Sequence, residues 1–334
     1  MFEFTVKVRD NIVNAVKRET GFGFALIQKL LRKKDIKVNG RRVNSNIKAD
    51  VGDKITVYAA APQRYEIIYE DDNILIANKF AGIAVTGEGG LEELLNNDLR
   101  QAGGTQSFGV IKLATAGQAG NPSCHCEPCL SNGQTKQSKS SCGFEVAQPI
   151  RAVHRIDTNT EGLVIFSKNT ESYDILLKAF KNKEVEKFYL ALVYGRMQKA
   201  EDRLTGYLVK NAEEGYAEVF NEPQKGSVKI ITDYKVVKEL ELCRGGGQGG
   251  YLASLIEVGL ITGKTHQIRA QMAALKNFVI GDPKYGDSKI NKALGLNKQC
   301  LCAYKIKFNI KNAKLSYLNE KEFNTEPKFL KYGY

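Results

Sequence analysis

The sequence predicts an α+β protein: a large domain built on a mixed, mainly antiparallel sheet, preceded by a small α+β domain. Three observations carry this. Beyond residue 65, short apolar runs rich in β-branched and aromatic residues follow one another with few helical stretches between them, which favours α+β over repeated βαβ units. The 334 residues are 43% hydrophobic and 26% charged, too long for one small module and apolar enough to bury about two cores. The charge is uneven: residues 1–60 hold thirteen Lys/Arg against six Asp/Glu, so this stretch carries +7 of the net +12. A surplus of that size suits a polyanionic partner, nucleic acid first, although a generally basic enzyme would carry it equally well.

In chain order, residues 5–8 read as a strand, and 11–18 and 23–32 as helices, the second with Phe24, Ile27, Leu30 and Leu31 on one face. Ile36-Lys37-Val38 alternates and closes on Asn39-Gly40, a hairpin signal; residues 54–58 follow the Val51-Gly52-Asp53 turn as a last strand. Residues 59–62 are the linker between a domain at 1–60 and one at 66–334. In the second, 66–69 and 73–78 are predicted strands and 91–101 a helix. Residues 102–148 exchange apolar side chains for Gly, Ser, Gln, Asn and Lys, the composition of a low-complexity insertion. Further on, 162–167, 187–194, 227–238, 252–258 and 302–310 read as strands, and 172–181 and 265–275 as helices. The glycine-rich 244–250 lacks the strand-to-helix context of a phosphate loop and reads as a hairpin tip.

Three stretches carry chemistry. His154-Arg155-Ile156-Asp157 stands in a polar loop ahead of an apolar strand, the kind of rigid support on which reacting groups sit. By spacing alone it is equally a salt-bridged Arg155–Asp157 turn. Leu260 to Met272 opens a helix that Thr262 or Thr265 can cap, that buries Ile268, Met272 and Leu275, and that sets His266 and Arg269 on another face. The plain alternative is a capped helix with its polar residues outside. In the strand around 186–195, Tyr189 by itself reads as a core aromatic.

Taken together, the stretches resemble the RluA-type pseudouridine synthases. His154-Arg155-Ile156-Asp157 with Thr160-Glu161-Gly162-Leu163 is similar to the family's catalytic motif. Thr262-Gly263-Lys264-Thr265-His266-Gln267-Ile268-Arg269 with Gly281-Asp282-Pro283-Lys284-Tyr285-Gly286 is similar to its C-terminal motif. The run from Asp72 to Gly82 resembles the opening strand pair, and residues 1–60 resemble an S4-type RNA-binding domain. The four segments keep the family's order. Four residues depart from its usual pattern: Phe80 for Pro, Glu161 for Ser, Lys264 for Arg and Gln271 for His.

The resemblance implies a pseudouridine synthase fold and an isomerase that breaks the N-glycosidic bond of a uridine, turns the uracil and joins C5 to the same sugar carbon. That reaction needs neither cofactor nor metal. Asp157 would be the nucleophile at C1′ or the base at C2′, two routes between which the residues do not choose. Arg269 would be its ion-pair partner and keep it ionised. Tyr189 would stack on the uracil and help proton removal from C5. The base would leave its stack to reach them. Arg155 would fill the vacated space in the RNA, His154 would orient the loop, and His266 is counted with them among the RNA contacts. Arg32, Lys33, Lys34, Arg41 and Arg42 of the head would hold phosphates in a salt-sensitive way.

The partner implied is RNA, large-subunit ribosomal RNA first and transfer RNA second; an inactive RNA-binding or ribosome-assembly factor and a uracil-releasing hydrolase are the competing classes. A monomer in the cytoplasm is expected, since no run of 18 apolar residues suggests a membrane span and Met1 to Asp10 lacks the apolar core of a signal peptide. Cys124, Cys126, Cys129 and Cys142 have zinc-like density in a polar stretch, against which stands a pool of reduced free thiols. Cys243, Cys300 and Cys302 read as core or strand residues.

Overall fold

The computed structural model describes residues 1–20, 22–59, 63–101, 148–211, 215–243 and 250–332. Two units emerge, Met1–Arg64 and Tyr65–Tyr334. Most of the expected insertion, its four cysteines, most of the linker and most of the 244–250 tip lie outside the described residues.

The first unit runs β1 (Phe2–Thr5), β2 (Asp10–Asn11), α1 (Ile12–Thr20), α2 (Phe24–Arg32), β3 (Ile36–Val38), β4 (Arg41–Val43), β5 (Lys48–Ala49) and β6 (Lys54–Val57). A four-stranded sheet in the order β1-β6-β3-β4 meets the two helices over a core that includes Ile12, Val16, Phe22, Ile27, Leu31 and Ile55. Asn39 and Gly40 turn with φ of +49° and +80°, the two positive angles of a tight hairpin. The first strand lies earlier than the expected 5–8. Its pairing with β6, Phe2 opposite Val57 through Thr5 opposite Lys54, decides the register, and Val6 then turns into the core. Phe24 is 62% exposed rather than buried, because the first residue of α2 overhangs the end of the core.

The second unit contains β7 (Tyr65–Glu70), β8 (Ile74–Lys79), α3 (Leu91–Gln101), β9 (Arg151–Ala152), β10 (Glu161–Ser167), α4 (Thr170–Lys181), β11 (Val185–Tyr194), β12 (Glu201–Asn211), β13 (Tyr216–Phe220), β14 (Val228–Leu242), β15 (Tyr251–Leu260), α5 (Gln267–Ala274), α6 (Ser288–Leu294), β16 (Leu301–Phe308) and β17 (Glu322–Asn324). Its sheet has the order β13-β12-β14-β15-β11-β16-β10-β8-β7, with β9 on β10 and β17 on β16. Among the described strands, every pairing in this sheet is antiparallel except β10 with β16, so the sheet is mixed as expected. That parallel junction dictates a glycine. Gly162 takes φ +119°, and a Cβ there would stand 2.4 Å from the Ala303 carbonyl oxygen.

The hairpin β12–β13 and helix α6 had no counterpart among the predicted elements. One side of β12 is exposed along most of its length, so its sequence reads as polar and conceals the strand. Cys300 and Cys302 are buried as expected, but Cys243 is exposed at the end of β14. No helix among the described residues is long and apolar enough to cross a membrane.

Candidate active site

The loop from β9 to β10 holds Asp157 and is pinned from behind. Thr158 offers its carbonyl to the Lys79 ammonium at 3.0 Å and to the Gly82 N–H at 2.8 Å, and Gln299 donates to the Thr160 hydroxyl at 3.0 Å. Lys79 is fully buried at the end of β8 and also donates to the Ile83 carbonyl at 2.8 Å. Burial pushes its pKa down to about 7, against the pull of Asp157 and Glu161. Carbonyl acceptors thus keep a buried amine in place and let it fasten two loops at once.

Arg269 approaches from α5. Its Nη1 donates to Asp157 Oδ2 at 2.7 Å, while Nε and Nη2 form a two-pronged bond with Asp282 at 2.6 and 2.9 Å. Burial opposes its charge, but the hydrogen bonds and attraction of Asp282, then those of Asp157, carry its pKa upward. The salt bridge of Asp157 therefore runs to α5. Arg155, the competing partner suggested by spacing, is exposed and, among the described residues, makes no ion pair with it.

Helix α5 is not the half-exposed helix that its spacing suggests. Gln267, Arg269 and Gln271 are at most 5% exposed, as are Ile268 and Met272, whereas Leu275, expected inside, is 42% exposed just past the last turn. Its polar residues face inward and are bonded: Gln267 donates to the Ile231 carbonyl and the Thr232 hydroxyl, and Gln271 accepts from that hydroxyl. Neither Thr262 nor Thr265 caps it. Thr262 is occupied by Ile231 and Gln267, and His266 stands at the N-cap with φ +59°. His266 Nδ1 lies 3.0 Å from the Tyr285 hydroxyl and Nε2 lies 3.8 Å from Asp157. The Tyr285 hydroxyl accepts from the Ala217 N–H.

Tyr189 on β11 is 5% exposed. Burial first, then the Asp157 charge, raises its pKa, which leaves the phenol a hydrogen-bond donor rather than a base at neutral pH. His154 Nε2 accepts from the Ile165 N–H at 3.1 Å in place of a strand partner, and its ring lies 5.0 Å from that of Phe180. Two departures from the family pattern meet at the C-terminal segment: Glu161 accepts from the Lys328 N–H, and the Lys328 ammonium sits over the Phe80 ring.

Asp157, Tyr189, Arg269, His154, Arg155 and His266 all line one cavity of about 700 Å³. Among the described residues that line it, Asp157 is the only acid, against six Lys/Arg. The structure does bring Arg32, Lys33, Lys34, Arg41 and Arg42 together on the first unit. All five are exposed, and the Arg42 guanidinium donates to the Lys34 carbonyl at 3.2 Å. Four residues escaped sequence reasoning: Asp282, Tyr285, Lys79 and Lys187. Asp282, Tyr285 and Lys79 lie inside the family-like segments and Lys187 in the strand of Tyr189, but what each does depends on where the fold sets it.

Such a cavity suits a polyanion. A family profile described as RNA pseudouridylate synthase matches residues 73–274, and the chain belongs to that family. It is an RNA pseudouridine synthase of the RluA type, an isomerase. The ribosomal large subunit pseudouridine synthase C of Vibrio parahaemolyticus is 28% identical over 305 residues, covering 85% of this chain and 79% of that protein. An uncharacterized RNA pseudouridine synthase of Mycoplasma capricolum is 29% identical over 322 residues, covering 92% of this chain and 90% of the other. The solved structure of human RNA pseudouridylate synthase domain containing 1 superposes with a TM-score of 0.52 at 20% identity, over 78% of this chain and 83% of that one; it shares the fold.

Proposed function

We propose that the protein isomerises specific uridines of large-subunit ribosomal RNA, with Asp157 as the reacting carboxylate. The observation that carries this reading is Asp157, the single acid among the described residues of a cationic cavity, held at 2.7 Å by a guanidinium that is itself anchored to a second, fully buried carboxylate. A polyanion is drawn into such a cavity, and the one negative group in it is left for the ribose. Tyr189, protonated, would stack on the uracil and donate a hydrogen bond to it. Exposed Arg155 would enter the space left by the extruded base. The basic surface of residues 1–60 would bind RNA phosphates and set where the second unit lands. The ribosomal assignment is supported by the name of the Vibrio relative.

Mapping pseudouridines in ribosomal and transfer RNA from cells with and without the gene tests the substrate. The expected result is the loss of one or a few sites in large-subunit RNA. A map changed only in transfer RNA overturns the ribosomal assignment, and an unchanged map overturns the enzyme. Asp157→Asn should lower the conversion rate at least ~10³-fold while the protein still binds RNA, as for other groups that react covalently or move protons. Full activity in that variant would remove Asp157 from the chemistry.

A further inference from the structure

One wall of the cavity holds donors with no acceptor. Lys187 lies on β11 two residues before Tyr189, on the same face of the strand and roughly 7 Å along it. Its ammonium stands 5.3 Å from the centre of the Phe180 ring, and a Cβ on Gly263 would be 3.8 Å from it. The residue is half-buried, burial pushes its pKa down to about 8, and among the described residues no ion pair or hydrogen bond joins it. His154, whose ring also lies against Phe180, offers it no acceptor. Because the Ile165 N–H occupies Nε2 of His154, the neutral ring carries its proton on Nδ1, and that N–H is itself buried without a partner. Burial and Lys187 together hold this ring neutral. A half-buried cation without a counter-ion is unfavourable in the free protein, as is a buried N–H without an acceptor. Arg269 in the same cavity is unlike it, since it is matched by two carboxylates.

A group that brings negative charge and acceptor oxygens into the cavity would satisfy Lys187. A phosphodiester is such a group, and any target uridine carries one on each side of its ribose. We propose that Lys187 is the subsite for a backbone phosphate flanking the extruded nucleotide. The assignment rests on the uridine-isomerase reading above, with Asp157 at the ribose. It goes beyond that reading by giving the cavity a second fixed point. A ribose held at one end by the carboxylate and at the other through its phosphate is oriented as well as bound.

The test uses the full-length protein and a short RNA spanning a uridine that the wild type converts, made with the phosphate 5′ or 3′ of that uridine as a neutral methylphosphonate. Lys187→Gln should lower kcat/KM about tenfold and reduce the salt slope of binding by about one, as the loss of a single phosphate contact does. Lys187→Arg should restore most of the activity. One of the two methylphosphonates should slow the wild type by a similar factor and Lys187→Gln by less than about twofold, because their shared contact is already gone. Lys187→Gln should melt at the wild-type temperature or above it, since the change removes an unmatched charge. Equal slowing of both proteins by the methylphosphonates, no slowing of either, or a lowered melting temperature that Arg does not restore would each overturn the subsite. A wild type that converts no uridine in any RNA would instead overturn the underlying reading.

Discussion

The basic residues of the first unit and the arginine of the cavity use the same chemistry to opposite ends. Arg32, Lys33, Lys34, Arg41 and Arg42 are exposed, hydrated and separately replaceable. Arg269 is 5% exposed and bonded to two carboxylates from different segments, one of them fully buried. A surface cation waits for its partner and contributes little to stability. A buried one has its partners built in, and the structure around it depends on every member. One region is therefore suited to affinity, the other to geometry.

The largest effect should come from removing the buried guanidinium. Arg269→Met leaves Asp157 and Asp282 without their shared cation, and denaturant unfolding should report a loss of about 3–5 kcal/mol, the range for breaking a buried ion pair. An unfolding curve that matches the wild type would show that the pair is as dispensable as a surface one and erase the contrast. His154 gives a smaller effect, with a sign. Its folded pKa lies well below the ordinary value of 6.5, so below that pH the unfolded chain takes up a proton that the folded chain refuses. Stability is then lost as pH falls from 6.5, by up to about 1.4 kcal/mol per pH unit from this residue. Thermal unfolding of wild type and His154→Gln across pH 5 to 7 should show that limb flattened in the variant; identical limbs would place the ring in water. Least of all, Lys33→Ala or Arg41→Ala should move stability by less than about 0.5 kcal/mol. Each should weaken RNA binding with a salt slope smaller by about one. Should RNA affinity and its salt slope stay unchanged in the combined variant, the first unit holds no phosphates.

The legible parts of the molecule were those with strong local patterning. Helix α3 has the predicted bounds, the Asn39-Gly40 turn has the predicted geometry, and β8, β10 and β11 lie within a residue or two of expectation. What failed did so where neighbours override local pattern. The plain alternative for α5, polar residues outside, fails because Ile231 and Thr232 offer Gln267 and Gln271 partners inside. β12 read as polar because it is covered on one side only.

The residue types needed for the chemistry, and the order of the motifs that carry them, are properties of the linear chain. So is the concentration of positive charge at its start. Which charges meet is not. Asp157 and Arg269 lie 112 positions apart, and the choice of Arg269 over neighbouring Arg155 was made by the sheet that sets α5 against the β9–β10 loop. The same holds for the lysine left without a counter-ion: the sheet sets Lys187 in the cavity with no carboxylate paired to it among the described residues. Pairing of buried groups is decided by distance and desolvation in three dimensions, and neither quantity is encoded in spacing along the chain.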